Sequence, residues 1–164
     1  MKSKVKYGQE LGSITIRLAQ HLLKNSNLCK LLVNTDLEPL SSTHGEIENP
    51  LELLNKNVLV IPYVDPNDQT TESKITIICS QGSIGNNIDN ESLYFSVGVY
   101  TPFKKWRIAG NDLRPYAIMS EIRKSIQDVR INGLGEVQYN GFSLANLTSQ
   151  MGVFTMEFEV IAFS

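Results

Sequence analysis

The sequence predicts an α+β fold, a mainly antiparallel β-sheet packed by two principal α-helices, in a single domain spanning residues 1–164. Three observations predict it. Apolar residues recur at helical steps near the start of the chain and again over 118–129. Apolar and polar residues alternate over 92–101 and through the middle of 153–163, the period of half-buried strands. The order of these segments is helix, three strands, helix, two strands. It lacks the repeated helix–strand alternation of a doubly wound parallel sheet.

The first helix is expected over about 9–25. Leu11, Ile14, Leu18 and Leu22 share one face, and Arg17, Gln20 and Lys24 lie on the other. A short second helix, about 27–34, follows the cap signal Asn25-Ser26-Asn27. Residues 35–57 show little periodicity except Pro50-Leu51-Glu52-Leu53-Leu54, one helical turn opened by proline. Val58-Leu59-Val60-Ile61, ended by Pro62, reads as a strand buried on both faces. Asp65-Pro66-Asn67-Asp68 carries turn chemistry and leads into a polar loop.

The next strand is expected at Ile75–Cys79, followed by a Gly/Asn/Ser-rich loop from Gly82 to Asn90. In 92–101, Leu93, Phe95, Val97 and Val99 point one way, and Tyr94, Ser96, Gly98 and Tyr100 the other. A long connection, 104–113, then holds the only tryptophan, Trp106. Asp112 is expected to cap a helix with Pro115 in its first turn, running to about Val129 with Ile118, Ile122, Ile126 and Val129 as its apolar stripe. Asn132-Gly133 and Asn140-Gly141 read as turns flanking a short strand, Glu136–Tyr139. In the last strand Phe154, Met156, Phe158 and Val160 alternate with Thr155, Glu157, Glu159 and Ile161.

At 164 residues the chain can bury a real core, and no linker, repeat or low-complexity segment divides it. With 15 Lys and Arg against 17 Asp and Glu, it has no cationic surplus for a nucleic-acid interface. The run Lys2, Lys4, Lys6 reads as a solvated terminus, with no apolar stretch behind it to make a signal peptide. No segment approaches the ~20 apolar residues that span a bilayer, so no membrane association is expected. Cys29 and Cys79 sit in apolar contexts and read as reduced core thiols.

Motifs that carry catalysis or cofactors are missing: there is no phosphate-cradling glycine loop, metalloprotease helix or nucleophile elbow. No catalytic, metal-binding or cofactor residues are assigned. His21 reads as a helix-face residue and His44 as a loop residue. A calcium loop starting at Asp65 would need Gly and Glu where Thr70 and Thr76 stand. Glu157 and Glu159 share a strand face and could serve acid–base chemistry, yet their alternation with Phe equally suits a solvent- or subunit-facing strand. The segment Phe103-Lys104-Lys105-Trp106-Arg107-Ile108 sets an aromatic among three cations. Trp and Arg are enriched at the energetic centres of interfaces, so Lys104, Lys105, Trp106 and Arg107, with Glu157 and Glu159, are the candidate contact residues. Trp106 could equally fold back and cap the core.

Taken together these segments resemble the tail terminator, or tail completion, proteins of long-tailed bacteriophages. The resemblance covers most of the chain: the opening helix, the proline-ended strand Asn57–Pro62 and the aromatic strand Leu93–Tyr100. After these come the helix Arg114-Pro115 … Ile118 … Glu121-Ile122 … Ile126, the turn Ile131-Asn132-Gly133-Leu134-Gly135 and the final strand. Its most specific block is Trp106 to Gly135. The resemblance implies a non-enzymatic virion protein without cofactors, assembled in the bacterial host cytoplasm into a ring, usually of six copies. Such a ring caps the tail tube protein, meets the head–tail connector or stopper, and lets genomic DNA pass through without specific binding. Sheet edges and the 64–73, 80–91 and 104–113 segments would carry the contacts. Competing readings are another neck or tail component (a stopper or a tube subunit), a small ligand-binding module, or an enzyme using Glu157, Glu159 and a histidine.

Overall fold

The computed structural model of the chain describes residues 9–61, 65, 71–84, 90–127, 129–131 and 135–163. The alternation that marks the strands in the sequence sets the register at the centre of the sheet. Strand β3 (Asn90–Pro102) and the last strand, β8 (Met151–Phe163), pair antiparallel along their whole length, so that Phe95 faces Phe158 and Val97 faces Met156. With β1 (Val58–Leu59), β2 (Lys74–Ile84), β6 (Arg130–Ile131) and β7 (Gly135–Leu147) they form a six-stranded sheet in the order β1-β2-β3-β8-β7-β6. Only β1 with β2 is parallel. The expected mainly antiparallel α+β architecture is what the chain adopts.

One face of the sheet is covered by α1 (Gln9–Leu22), α2 (Ser26–Val33) and α3 (Arg114–Ile126). Leu18 and Leu22 of the first helix, and Ile118, Ile122 and Ile126 of the third, are fully buried against Phe95, Val97, Val99 and Phe158. Each such side chain contributes roughly 1.5–3 kcal/mol by leaving water. The α2 start follows its cap signal: the Asn25 side chain accepts from the Leu28 amide at 3.0 Å. That side chain also donates to the Ser125 hydroxyl at 2.8 Å, tying the α1–α2 corner to the end of α3. Pro50–Leu53 forms the expected single turn, as a 3-10 helix.

Several expectations are corrected. Val58–Ile61 is not a strand buried on both faces. Only Val58 and Leu59 pair, at the sheet edge, and Ile61 is exposed. β2 runs to Ile84 and β3 starts at Asn90, so the described part of the expected 82–90 loop is strand. Asn140-Gly141 is not a turn: β7 continues through it with a β-bulge, where Gly141 takes a φ of 117° that a side chain would resist. The helix after Leu113 ends at Ile126, short of Val129. Asp112 does not cap it; its carboxylate accepts from the neighbouring Leu113 amide at 2.7 Å. The Asn132-Gly133 turn, the Lys2–Lys6 run, Pro62 and most of the Asp65–Asp68 turn lie outside the described residues.

Candidate functional site

The two halves of the predicted contact set lie on opposite faces of the sheet. Glu157 and Glu159 stand on the face away from the helices, beside Tyr94 and Ser96 of β3. The Ser96 hydroxyl reaches both oxygens of Glu157, at 3.0 and 2.8 Å, and the Tyr94 hydroxyl donates to Glu159 at 3.3 Å. No histidine approaches them. His21 meets the Ser125 carbonyl at 2.7 Å between α1 and α3, on the far side of the sheet. His44 pairs with Asp36 at 2.7 Å. The arrangement that an acid–base site would need is therefore not assembled from these residues. Among the described residues, no three His, Cys, Asp or Glu converge as metal ligands, and no helix is long and apolar enough to cross a membrane.

The 103–113 segment has more order than its aperiodic sequence suggests. Phe103–Lys105 is a 3-10 turn, and β4 (Arg107–Ile108) and β5 (Asp112–Leu113) form a two-residue hairpin. Trp106 folds back onto the core edge, as one of the two readings allowed. Its indole N–H donates to the Thr101 carbonyl at 2.9 Å, and its ring leans on Phe103 and Phe154, with centroids 5.3 and 5.8 Å away. Lys104 and Arg107 project as exposed side chains, with half-buried Lys105 between them. None of the three has a carboxylate within ion-pairing distance among the described residues. An open groove of about 730 Å³ runs beside them, lined by Leu37, Phe103, Trp106, Arg107, Ile108 and Leu113.

What fixes this turn is a residue the sequence reading passed over. Arg114 is 1% exposed, the largest fully buried side chain described. Its guanidinium donates to four backbone carbonyls: Lys105 at 2.8 Å, Leu31 at 3.2 Å, and those of Asn34 and Asp36. Three of these belong to the C-terminal end of α2 and the chain just beyond it, where unsatisfied carbonyls attract a cation. Burial pushes the guanidinium pKa below its ordinary value, and Asp36 opposes that shift. The Arg114 amide also donates to the Trp106 carbonyl at 2.6 Å. A signal was present in the sequence: a cation opening a helix opposes the helix dipole, so its side chain must find partners elsewhere.

The sheet ends in two open edges. β1 pairs with β2 only at Ile75 and Thr76, and β6 pairs with β7 only at Gly135 and Glu136. Among the described residues nothing pairs with the outer side of β2 beyond Thr76 or with the outer side of β7 beyond Glu136. Both edges lack the charges that normally guard such strands: residues 75–88 and 137–156 contain no Asp, Glu, Lys or Arg. Phe142 and Leu144 on β7 are 55% and 51% exposed, and nearby Tyr116 of α3 is 44% exposed. The rings of Tyr116 and Phe142 both approach Phe154, at 5.4 and 6.2 Å. The strand expected from the sequence ends at Tyr139 and includes neither Phe142 nor Leu144; their freedom from cover depends on strand order.

No curated protein matches the chain. The YomW family model matches residues 25–160, from the Asn25 cap of α2 to Val160 in β8, and leaves α1 outside the match. By that match the chain belongs to the YomW family, a phage-like family of Bacillus prophage proteins.

Proposed function

We propose that the protein is a non-enzymatic virion component that assembles into a ring, of six copies by resemblance, terminating the tail tube and joining tail to head. The observation that carries this reading is the pair of open, charge-free sheet edges on opposite sides of one domain. An edge that pairs with a different edge of the next copy gives a heterologous contact, and such contacts close into rings when the rotation permits. The β7 edge of one copy then meets the β2 edge of its neighbour, and main-chain hydrogen bonds continue the sheet around the ring.

In that arrangement the uncovered face of the sheet lines the channel. It carries Glu136, Glu157 and Glu159 against Lys74 and Arg130, the last directly opposite Glu136, a slightly acidic balance that lets a polyanion slide rather than stick. Tail tube protein and connector would contact the two rims of the ring. Membership in a phage-like family supports the virion setting.

Light scattering coupled to gel filtration, across a concentration series and followed by electron microscopy, tests the reading. Closed rings, or a smaller species that caps added tail tubes, are expected. Open-ended tubes would instead identify a tube subunit. A strict monomer at all concentrations that never caps a tube would refute the proposal.

A further inference from the structure

We infer that the cationic aromatic turn at Phe103–Arg107, with Tyr116, Phe142 and Leu144, is a docking surface for the acidic segment Glu46–Glu52 of a second copy. This inference rests on the ring reading and names the side-chain contact that accompanies edge pairing. Two complementary surfaces carry it. Lys104, Lys105 and Arg107 have no acidic partner among the described residues and flank Trp106, whose ring meets exposed Phe103 and shares Phe154 with exposed Tyr116 and Phe142. The acids near them are Asp112, on the groove wall, and Asp36, already paired with His44. The local balance therefore stays positive.

Elsewhere on the chain, residues 31–55 contain five acids and neither Arg nor Lys, and the Glu46–Glu52 part of that stretch leads away from the turn toward β1. Within this stretch Glu46, Glu48 and Glu52 are exposed, and Leu51 between them is 56% exposed. Glu46 is held by Lys30 at 2.7 Å, which anchors the segment against α2. Glu48 has no cationic partner among the described residues. The segment leads into β1, the outermost strand on the β2 side. The apolar anchors Phe142 and Leu144 on β7 and the acidic segment beside β1 thus sit toward opposite ends of the strand order, where a heterologous contact requires them.

Each surface pairs an exposed apolar anchor with charge of one sign, and the signs are opposite. Leu51 packs among Phe142, Leu144 and Tyr116, and Glu48 and Glu52 face Lys104, Lys105 and Arg107. The pinned backbone of the turn, held through Arg114 and the Trp106 indole, keeps the cations in place before docking.

Two variants test it: Lys104→Glu/Lys105→Glu/Arg107→Glu, and Glu48→Lys/Glu52→Lys. Each alone sets like charges across every interface, and its assembly midpoint is expected to rise at least about tenfold in concentration. Mixed in equal amounts they can alternate around the ring, and assembly is expected to return to within about threefold of the unaltered chain. All positions are exposed or half-buried, and circular dichroism checks that each variant folds. Salt gives an independent reading on the unaltered chain: going from about 0.05 M to about 0.5 M should raise its midpoint about tenfold. If the unaltered chain never assembles, this inference and the ring reading both fall. If it assembles but neither charge reversal nor salt moves the midpoint, or mixing does not restore it, this docking surface is wrong and the ring stands on its edges alone.

Discussion

Trp106 lies over the backbone of Gly152: a Cβ on Gly152 would stand 2.1 Å from Cζ2 of the indole and 3.0 Å from Cε2. The start of β8 is therefore shaped by the turn above it, and only a residue without a side chain lets the indole reach Phe154. Gly152→Ala should push the ring off the core edge, at a cost of roughly 1–3 kcal/mol for overpacking. Because Trp106 is the only tryptophan, its fluorescence reports the displacement directly. A red-shifted emission and a lowered melting temperature are expected. Unchanged emission and stability would mean that the indole does not occupy this site.

Arg114 sets a second expectation. Replacing it by Met keeps an apolar stem of similar length but leaves four carbonyls without their donor. Urea denaturation should show a loss of about 3 kcal/mol or more, since removing one side of a buried charged network strands the other. Arg114→Lys should recover little, because a single ammonium cannot span carbonyls on both α2 and the 103–107 turn. A loss below about 1 kcal/mol for Met would show that water or neighbouring groups replace the guanidinium readily.

How much of this was legible in the sequence depended on whether the cause was local. Alternation across Leu93–Val99 and Phe154–Val160 is enforced by one face being buried, so the strands and their buried faces follow from spacing alone, while which strand each pairs with does not. Leu18, Leu22, Ile118 and Ile122 were readable for the same reason in helical period. Val58–Ile61 misled because an apolar run does not say whether strands flank it, and here β1 pairs with a strand on one side and with only the single residue Leu54 beyond it. Asn140-Gly141 misled because a glycine at positive φ serves a bulge as well as a turn. The candidate cations were found by composition, yet Phe142 and Leu144 were not, since only the strand order exposes them.

Cys29 is fully buried, and burial pushes its thiol up to about 11. A raised folded pKa means that the folded chain holds its proton over a range where the unfolded chain has released it. The thiol's contribution to stability is thus complete below the ordinary value of 9.0 and is lost as pH rises through about 11. Cys79, half-buried, is shifted in the same direction, also by burial. At neutral pH a thiol reagent should label Cys79 slowly and Cys29 only on unfolding. Rapid labelling of both in the native chain would contradict the packing of α2.

A lysine on an open sheet edge separates edge pairing from simple stickiness. Ser143 is exposed on β7, between Phe142 and Leu144 and well beyond the two residues that pair with β6. Ser143→Lys leaves both apolar side chains in place and adds one charge of the kind that protects natural edges. If copies join by extending the sheet, the assembly midpoint should rise several-fold with no change in melting temperature, because no packed contact within the domain is lost. A matching effect is expected for Gln81→Lys on β2, at the bulge after Cys79 on the other open edge. If copies meet by the proposed heterologous contact, either substitution alone should suffice, and combining them should not add much: the same interface is already broken from one side. Sensitivity at Ser143 with none at Gln81 would instead mean that β7 pairs with another β7, a two-fold contact that stops at a dimer and cannot close a ring.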